Sequence, residues 1–189
     1  MPSDPVYVLG MSPPALMTAD ELLHVPNKHA ELVRGVLIVR EPPGLQHGRI
    51  ATELAAALAP HVRANGLGRV YLESGFKLAA NPDTVRGPDI SFISKTRLPE
   101  PEPRGFPNLA PDLAVEVLSP DDRPGDVLGK VAEYLSAGTR LVWVIDPERR
   151  LARVYRADGT EETVTADQGR ALQGEDVLPG FACPLSTVL

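Results

Sequence analysis

The segment Pro111–Pro120 decides how the rest of the chain is interpreted, and it reads PDLAVEVLSP. Its centre is apolar except for Glu116, a pattern typical of a buried strand that carries one carboxylate. A second apolar run, at 90–93, directly follows Asp89. Because a charge beside a buried strand is costly unless a partner compensates it, these two carboxylates indicate a functional site, and a bound cation is one form of compensation.

Strand geometry determines which way the carboxylate at 116 points. Side chains alternate between the two faces of a strand, so Glu116 shares a face with the small Ala114, which leaves room beside it. If the strands that carry Asp89 and Glu116 are neighbours, the two carboxylates converge within reach of one ion. Mg²⁺ commonly takes one or two carboxylates together with water and phosphate, and it activates a bound water for hydrolysis.

A helix predicted at residues 122 to about 137 adds three polar residues to this region. Asp126, Lys130 and Tyr134 recur every four residues and therefore fall along one face. One interpretation is a simple helical ion pair between Asp126 and Lys130, worth about 0.2–0.5 kcal/mol. The other places Lys130 beside the metal, where its ammonium orients water or stabilises negative charge. The sequence leaves both open, and it favours Tyr134 as a core residue.

The remaining patterns predict an α/β fold with a mixed central sheet, helices on its faces and a C-terminal β-meander. Residues 1–17 are expected to be irregular, and residues 18–189 to form a single domain. The predicted order is a helix from Thr18 to about Val25, a hairpin at 30–41, a long helix at about 46–65, strands at 69–78, 89–93 and 112–118, the helix at 122–137, and strands at 140–146, 151–155 and 160–165.

Composition excludes several classes of protein. The 189 residues are 43% hydrophobic, which suits one folded domain, and the net charge of −6 does not indicate a generally basic nucleic-acid-binding domain. A single cysteine, Cys183, excludes an internal disulfide, and the four histidines show no zinc spacing. Without a signal peptide or a long apolar run in the sequence, we expect a cytoplasmic protein that does not enter the membrane.

Taken together, these residues resemble the PD-(D/E)xK nuclease superfamily, whose members have the restriction-endonuclease-like fold. The chain is most similar to the Uma-type restriction endonuclease family, over about residues 18–185. The matching positions are Glu31–Gly35, His47-Gly48, Arg86–Asp89, Pro111–Pro120, Asp126, Lys130, Tyr134, Ala137-Gly138 and Val142-Trp143.

The resemblance implies a Mg²⁺- or Mn²⁺-dependent endonuclease that acts on nucleic acid, with DNA as the expected substrate. It implies that Asp89 and Glu116 are metal ligands and that the backbone carbonyl of Val117 is a third. It also implies that Glu31 completes the site. From the residues alone, Glu31 is better explained as an edge or solvent-facing charge at the start of a hairpin.

The chain departs from the superfamily pattern at one position. The catalytic lysine of the pattern lies two residues after the glutamate, and this chain has Leu118 there. The Uma-type pattern places the lysine in the following helix, which matches Lys130, and Lys77 is a weaker alternative. A catalytically degenerate interaction module for nucleic acid or protein, with the same fold, is therefore the alternative function.

Two further residues are candidates for contacts with substrate phosphates. His47 lies at the start of the long helix, where free backbone N–H groups favour phosphate, and Arg86 precedes the Pro-Asp pair. Ordinary solvent contacts explain both residues equally well. A homodimer is also expected, because cutting both strands of a duplex requires two active sites.

Overall fold

A computed structural model describes residues 16–26 and 29–189, which contain three α-helices, twelve strands and two short 3₁₀ helices. Most of the predicted irregular N-terminal segment lies outside these residues. In the described part of the chain, no helix is both long enough and apolar enough to span a bilayer.

The helices are α1 (Ala19–Leu22), α2 (Leu45–Ala64) and α3 (Pro124–Ser136). The strands are β1 (Ala30–Val33), β2 (Val36–Val39), β3 (Gly68–Leu72), β4 (Phe76–Ala79), β5 (Thr84–Arg86), β6 (Ile90–Ser94), β7 (Leu113–Val117), β8 (Leu141–Asp146), β9 (Leu151–Arg156), β10 (Glu161–Thr165), β11 (Ala171–Gln173) and β12 (Ala182–Pro184).

A six-stranded sheet with the order β10-β9-β8-β7-β6-β3 lies at the centre of the fold. Strands β7 and β8 are parallel, and the other neighbours are antiparallel. The predicted mixed sheet and the meander of β8, β9 and β10 are therefore confirmed. Because a parallel pair needs a crossover connection, α3 must lie over one face of the sheet between β7 and β8.

The two longer helices cover opposite faces of the central sheet. On one face, α2 buries Ile50, Leu54, Leu58 and Val62 in the main core, together with Leu113, Val115 and Val117 of β7. On the other face, α3 buries Val131 and Tyr134 against Ala114, Val142 and Val144. The predicted alternation along β7 is correct, and Glu116 shares the face of α3.

A second, four-stranded antiparallel sheet has the order β2-β1-β5-β4. Its first two strands form the predicted hairpin, which turns at Arg34 and Gly35, with φ angles of 49° and 78°. Helix α1 begins with the predicted capping box, in which Thr18 and Glu21 exchange hydrogen bonds. It ends at Leu22, earlier than predicted. This sheet carries Glu31 and Arg86 towards the central sheet.

The prediction of a single strand at residues 69–78 is wrong. The chain leaves β3 at Glu73, whose φ is 47°, and enters β4 in the other sheet. Gly75 in this connection lies against the ring of Phe106, and a Cβ atom there would come within 2.5 Å of it. Strand β5 was not predicted, because Asn81-Pro82-Asp83 reads as a turn and leaves only three residues for a strand.

Helix α2 allows the packing to be tested with a matched pair of leucines. Leu54 is fully buried in the main core, whereas Leu45 is 95% exposed at the start of the same helix. We expect Leu54→Ala to lower the free energy of unfolding by about 2–5 kcal/mol, because it leaves a cavity. Leu45→Ala should change it by less than about 0.5 kcal/mol. Urea unfolding measures both, and equal effects would contradict this description of the core.

Candidate active site

A cleft of about 820 Å³ lies where the four-stranded sheet meets one end of the central sheet. The start of α2 and the loop after β7 complete its walls. The four residues predicted to be catalytic all line this cleft, and so does His47: they are Glu31, Asp89, Glu116 and Lys130. Residues from five separate parts of the chain therefore meet in one place.

Glu116 lies at the centre of the site and is only 6% exposed. Its Oε2 atom accepts a hydrogen bond from Lys130 Nζ at 2.5 Å, and its Oε1 atom accepts one from Tyr134 Oη at 2.8 Å. Both donors lie on α3, one turn apart on the face that packs against the sheet. The buried partner of Lys130 is therefore Glu116, and the interpretation of Lys130 as half of a simple helical pair is wrong.

Two carboxylates share the Lys130 ammonium, which lies 2.5 Å from Glu116 and 3.8 Å from Glu31. Burial is the largest of the effects that together raise the pKa of Glu116 to about 7; the charge of Lys130 opposes it, and the charges of Asp89 and Glu31 add to it. Burial acts to lower the pKa of Lys130, but the two glutamates outweigh it and raise that pKa. The lysine therefore stays charged, and of the two glutamates Glu116 takes up a proton more readily than Glu31, whose pKa is lowered.

Glu31 on β1 is the most heavily paired carboxylate of the site. It accepts hydrogen bonds from Arg86 Nη1 at 2.9 Å, Arg40 Nε at 3.0 Å and the backbone N–H of Gly87 at 3.1 Å. Burial acts to raise the pKa of Glu31, but the charges of Lys130, Arg86 and Arg40 outweigh it and lower the pKa. Glu31 is therefore an ionised, buried carboxylate and not a solvent-facing residue.

Arg86 links the carboxylate of Glu31 to helix α3. Its guanidinium is buried and donates from Nε to Glu133 at 2.6 Å as well as to Glu31. The sequence placed Arg86 as a candidate phosphate contact, but in the structure both of its partners are protein carboxylates. Contact between Arg86 and a phosphate stays a prediction, and its observed contacts hold Glu31 in place.

Asp89 directly precedes β6 and is held from two sides. Its Oδ2 atom accepts a hydrogen bond from the backbone N–H of Val117 at 2.6 Å and lies 3.1 Å from His47 Nε2. The hydrogen bond to Asp89 raises the pKa of His47, although burial opposes it. Nδ1 of His47 is buried without a hydrogen-bond partner among the described residues. His47 is therefore an Asp89 partner at the edge of the cleft.

Lys77, the alternative lysine from the sequence, lies outside the cleft, and so does Asp112, which precedes β7. Asp112, at the far end of β7, is buried and accepts hydrogen bonds from Ser94 N and Arg97 Nη1, both at 2.8 Å. Lys77 donates to Asp83 at 2.8 Å in the four-stranded sheet. Asp112 thus anchors the loop after β6. Lys130, and not Lys77, is the lysine that lies beside the carboxylates of Glu116 and Glu31.

Sequence reasoning missed three residues that hold the site together: Arg40, Glu133 and the hydroxyl group of Tyr134. Arg40 bridges Glu31 to Asp122, whose Oδ1 lies 3.6 Å away. The spacing of Lys130 and Tyr134 was visible in the sequence and could have identified the tyrosine as a Glu116 partner. The predicted hairpin could have indicated Arg40, which lies two residues beyond Ile38, the register partner of Glu31. No local signal could have identified Glu133, because its partner Arg86 is 47 residues away in the sequence.

The donor set of the cleft fits a hard divalent cation. Asp89 and Glu116 supply carboxylate oxygens, which Mg²⁺ and Mn²⁺ prefer, and such ions complete their shells with water or phosphate. Within residues 16–26 and 29–189, no group of three or more His, Cys, Asp or Glu side chains has the arrangement of a metal site. A cation at this site would therefore rely on two carboxylates and on donors other than side chains.

The pKa of Glu116 makes a testable contribution to stability. The value of about 7 in the folded protein lies above the ordinary value of 4.5, so the folded state binds this proton more tightly. The stabilisation is fully present below about pH 4.5 and is lost as the pH rises through 7. Relative to Glu116→Gln, we expect the wild-type free energy of unfolding to fall by up to roughly 3 kcal/mol across this range.

Urea unfolding of both proteins at a series of pH values, with a chelator present, measures this difference. The Glu116→Gln variant keeps the shape of the side chain but cannot titrate, so other groups cancel in the comparison. A difference in stability that stays constant from pH 4.5 to pH 8 would contradict a raised pKa at Glu116.

Comparisons with known proteins identify the family and the fold of the chain. The model of the Uma2 family, described as "Putative restriction endonuclease", matches residues 19–186. The fold is also similar to a crystal structure from Anabaena variabilis ATCC 29413, described as "a putative nuclease belonging to DUF820". That chain is 26% identical, the TM-score is 0.78, and the match covers 91% of this chain and 97% of the other. A search of curated proteins found no match.

Proposed function

The chain belongs to the Uma2 restriction endonuclease family, and from this premise we propose that it is a metal-dependent endonuclease that hydrolyses phosphodiester bonds in DNA. One observation carries the proposal: Asp89 and Glu116 line the same cleft, with the Lys130 ammonium on Glu116. This combination of two carboxylates and a lysine supplies the ligands and the positive charge that phosphodiester hydrolysis requires.

Asp89, Glu116 and the backbone carbonyl of Val117 would hold the cation, with Glu31 as an auxiliary residue. A bound Mg²⁺ or Mn²⁺ lowers the pKa of a water molecule and offsets charge on the reacting phosphate. The hydrogen bond from the Val117 N–H to Asp89 supports this arrangement, because it fixes the carboxylate beside β7. The Arg86 and Arg40 guanidinium groups keep Glu31 ionised.

Lys130 takes the role of the lysine that the superfamily pattern places two residues after the glutamate. At that position, Leu118 is partly buried and packs against the apolar cluster beneath α3. Lys130 instead reaches the cleft from the helix and lies between Glu116 and Glu31. Its ammonium can donate to the attacking water or to a phosphate oxygen, where it stabilises developing negative charge.

The edge of the cleft offers contacts for the phosphates of the substrate. His47 lies in the first turn of α2, where the helix dipole favours negative charge, and the pKa of His47 is raised by Asp89. Arg40 is 35% exposed and lines the same cleft. Because the net charge is −6, we expect binding to depend on these local groups and to weaken with added salt.

A specific observation favours the alternative, a degenerate interaction module. Both oxygens of Glu116 are already occupied by Lys130 and Tyr134, and the described residues contain no preformed three-residue metal cluster. Such a module would bind its partner without cleaving it. The alternative and the nuclease differ in whether a divalent cation binds at Glu116.

A homodimer is also part of the proposal, because cleavage of both strands of duplex DNA needs two active sites. Light scattering on the purified protein measures its mass directly. A monomer that cuts both strands would remove this part of the proposal and leave the catalytic part intact.

The nuclease proposal predicts Mg²⁺- or Mn²⁺-dependent nicking of supercoiled plasmid or cleavage of single-stranded DNA. Asp89→Asn and Glu116→Gln should each reduce the rate below detection, since both remove an anionic ligand while keeping the shape of the side chain. Glu161→Gln is the matched control, because this glutamate is exposed on β10, away from the cleft. Gel electrophoresis of the products measures the rates.

Two results would contradict the proposal. Unchanged cleavage by Asp89→Asn and Glu116→Gln would place the activity elsewhere. A wild-type protein that binds DNA but cleaves no substrate with either metal would favour the interaction module.

A further inference from the structure

We propose that Tyr134 is a positioning residue of the active site. Its hydroxyl group holds Oε1 of Glu116 in place and leaves Oε2 as the oxygen available to a cation in the cleft. This inference rests on the proposed function, because it assigns Tyr134 to the same catalytic carboxylate. It adds a residue that the sequence analysis treated as core.

The two oxygens of Glu116 lie in different surroundings. Oε1 accepts its hydrogen bond from Tyr134 Oη, and Tyr134 is fully buried and does not line the cleft. Oε2 accepts its hydrogen bond from Lys130 Nζ, which belongs to a cleft-lining residue. Oε1 is therefore held by a residue outside the cleft, and Oε2 is held by a residue that lines the cleft.

Tyr134 is suited to hold an atom at a fixed position. Its ring packs in the apolar cluster formed by α3 and the central sheet, with Ala114, Val131, Val142 and Val144. A tyrosine side chain has only two rotatable bonds before its ring, so a ring that is packed on all sides leaves the hydroxyl oxygen little freedom to move. Burial raises the pKa of Tyr134 well above its ordinary value, so the hydroxyl keeps its proton and remains a donor.

Lys130 alone cannot fix the orientation of the Glu116 carboxylate. The lysine ammonium is on a long, flexible side chain and interacts with Glu31 as well as with Glu116. A carboxylate held by one flexible donor can rotate, whereas a second donor on the other oxygen restricts its plane. Residues that hold a metal ligand in this way strongly affect metal affinity, by about 10- to 100-fold when they are replaced.

The test compares Tyr134→Phe with Tyr155→Phe. Tyr155 is a second tyrosine of the same apolar cluster, on β9, and its hydroxyl interacts with Arg153 instead of Glu116. Both variants lose one hydroxyl group and keep the ring. For the full chain and each variant, calorimetry measures the affinity for Mn²⁺, and thermal unfolding without metal measures the stability.

We expect Tyr134→Phe to bind Mn²⁺ about 10- to 100-fold more weakly, with Tyr155→Phe unchanged. Raising the Mn²⁺ concentration should restore part of the cleavage rate of Tyr134→Phe, because the defect lies in affinity.

If Tyr134→Phe binds Mn²⁺ as tightly as the wild type and differs only in thermal stability, the inference is overturned and the nuclease proposal stands. A wild-type protein that binds no Mn²⁺ overturns both together.

Discussion

The buried ammonium of Lys130, placed between Glu116 and Glu31, is the interaction on which the rest of the site depends. Two glutamates that are each about nine-tenths buried could not remain close together without a cation, because their desolvation and mutual repulsion would favour protonation. Lys130 provides that cation from within the chain. The site can therefore exist in the folded protein without metal, with Glu116 as the carboxylate that is least firmly ionised.

The topology of the central sheet explains why α3 is the element that organises these groups. Because β7 and β8 are parallel, the connection between them must cross a face of the sheet, and that face carries Glu116. One turn of α3 then places Lys130 and Tyr134 on this carboxylate. The neighbouring Glu133 binds Arg86, which in turn binds Glu31. A single helix thus fixes both glutamates, although they lie in different sheets.

Much of the fold and part of the site could be predicted from local patterns. The alternation along β7 correctly assigned the face of Glu116, and the helical spacing placed Lys130 and Tyr134 together. The approach of Asp89 to β7 could be stated only conditionally, because strand adjacency depends on long-range pairing. The ion pair of Glu31 with Arg86 could not be predicted, since Arg86 lies on β5, a strand that the sequence did not indicate. The pair of Glu31 with Arg40 lies within the predicted hairpin, but its side-chain contact was not inferred.

We propose that Asp89 and Glu116 together form a divalent-cation centre. Its most direct test is a crystal structure of the full chain soaked in Mn²⁺, with anomalous data collected at the manganese absorption edge. We predict one strong peak in the cleft, at a direct ligand distance of about 2.1 Å from oxygens of both residues. A cleft without a manganese peak, with Lys130 still bound to Glu116, would contradict a cation centre at these two residues.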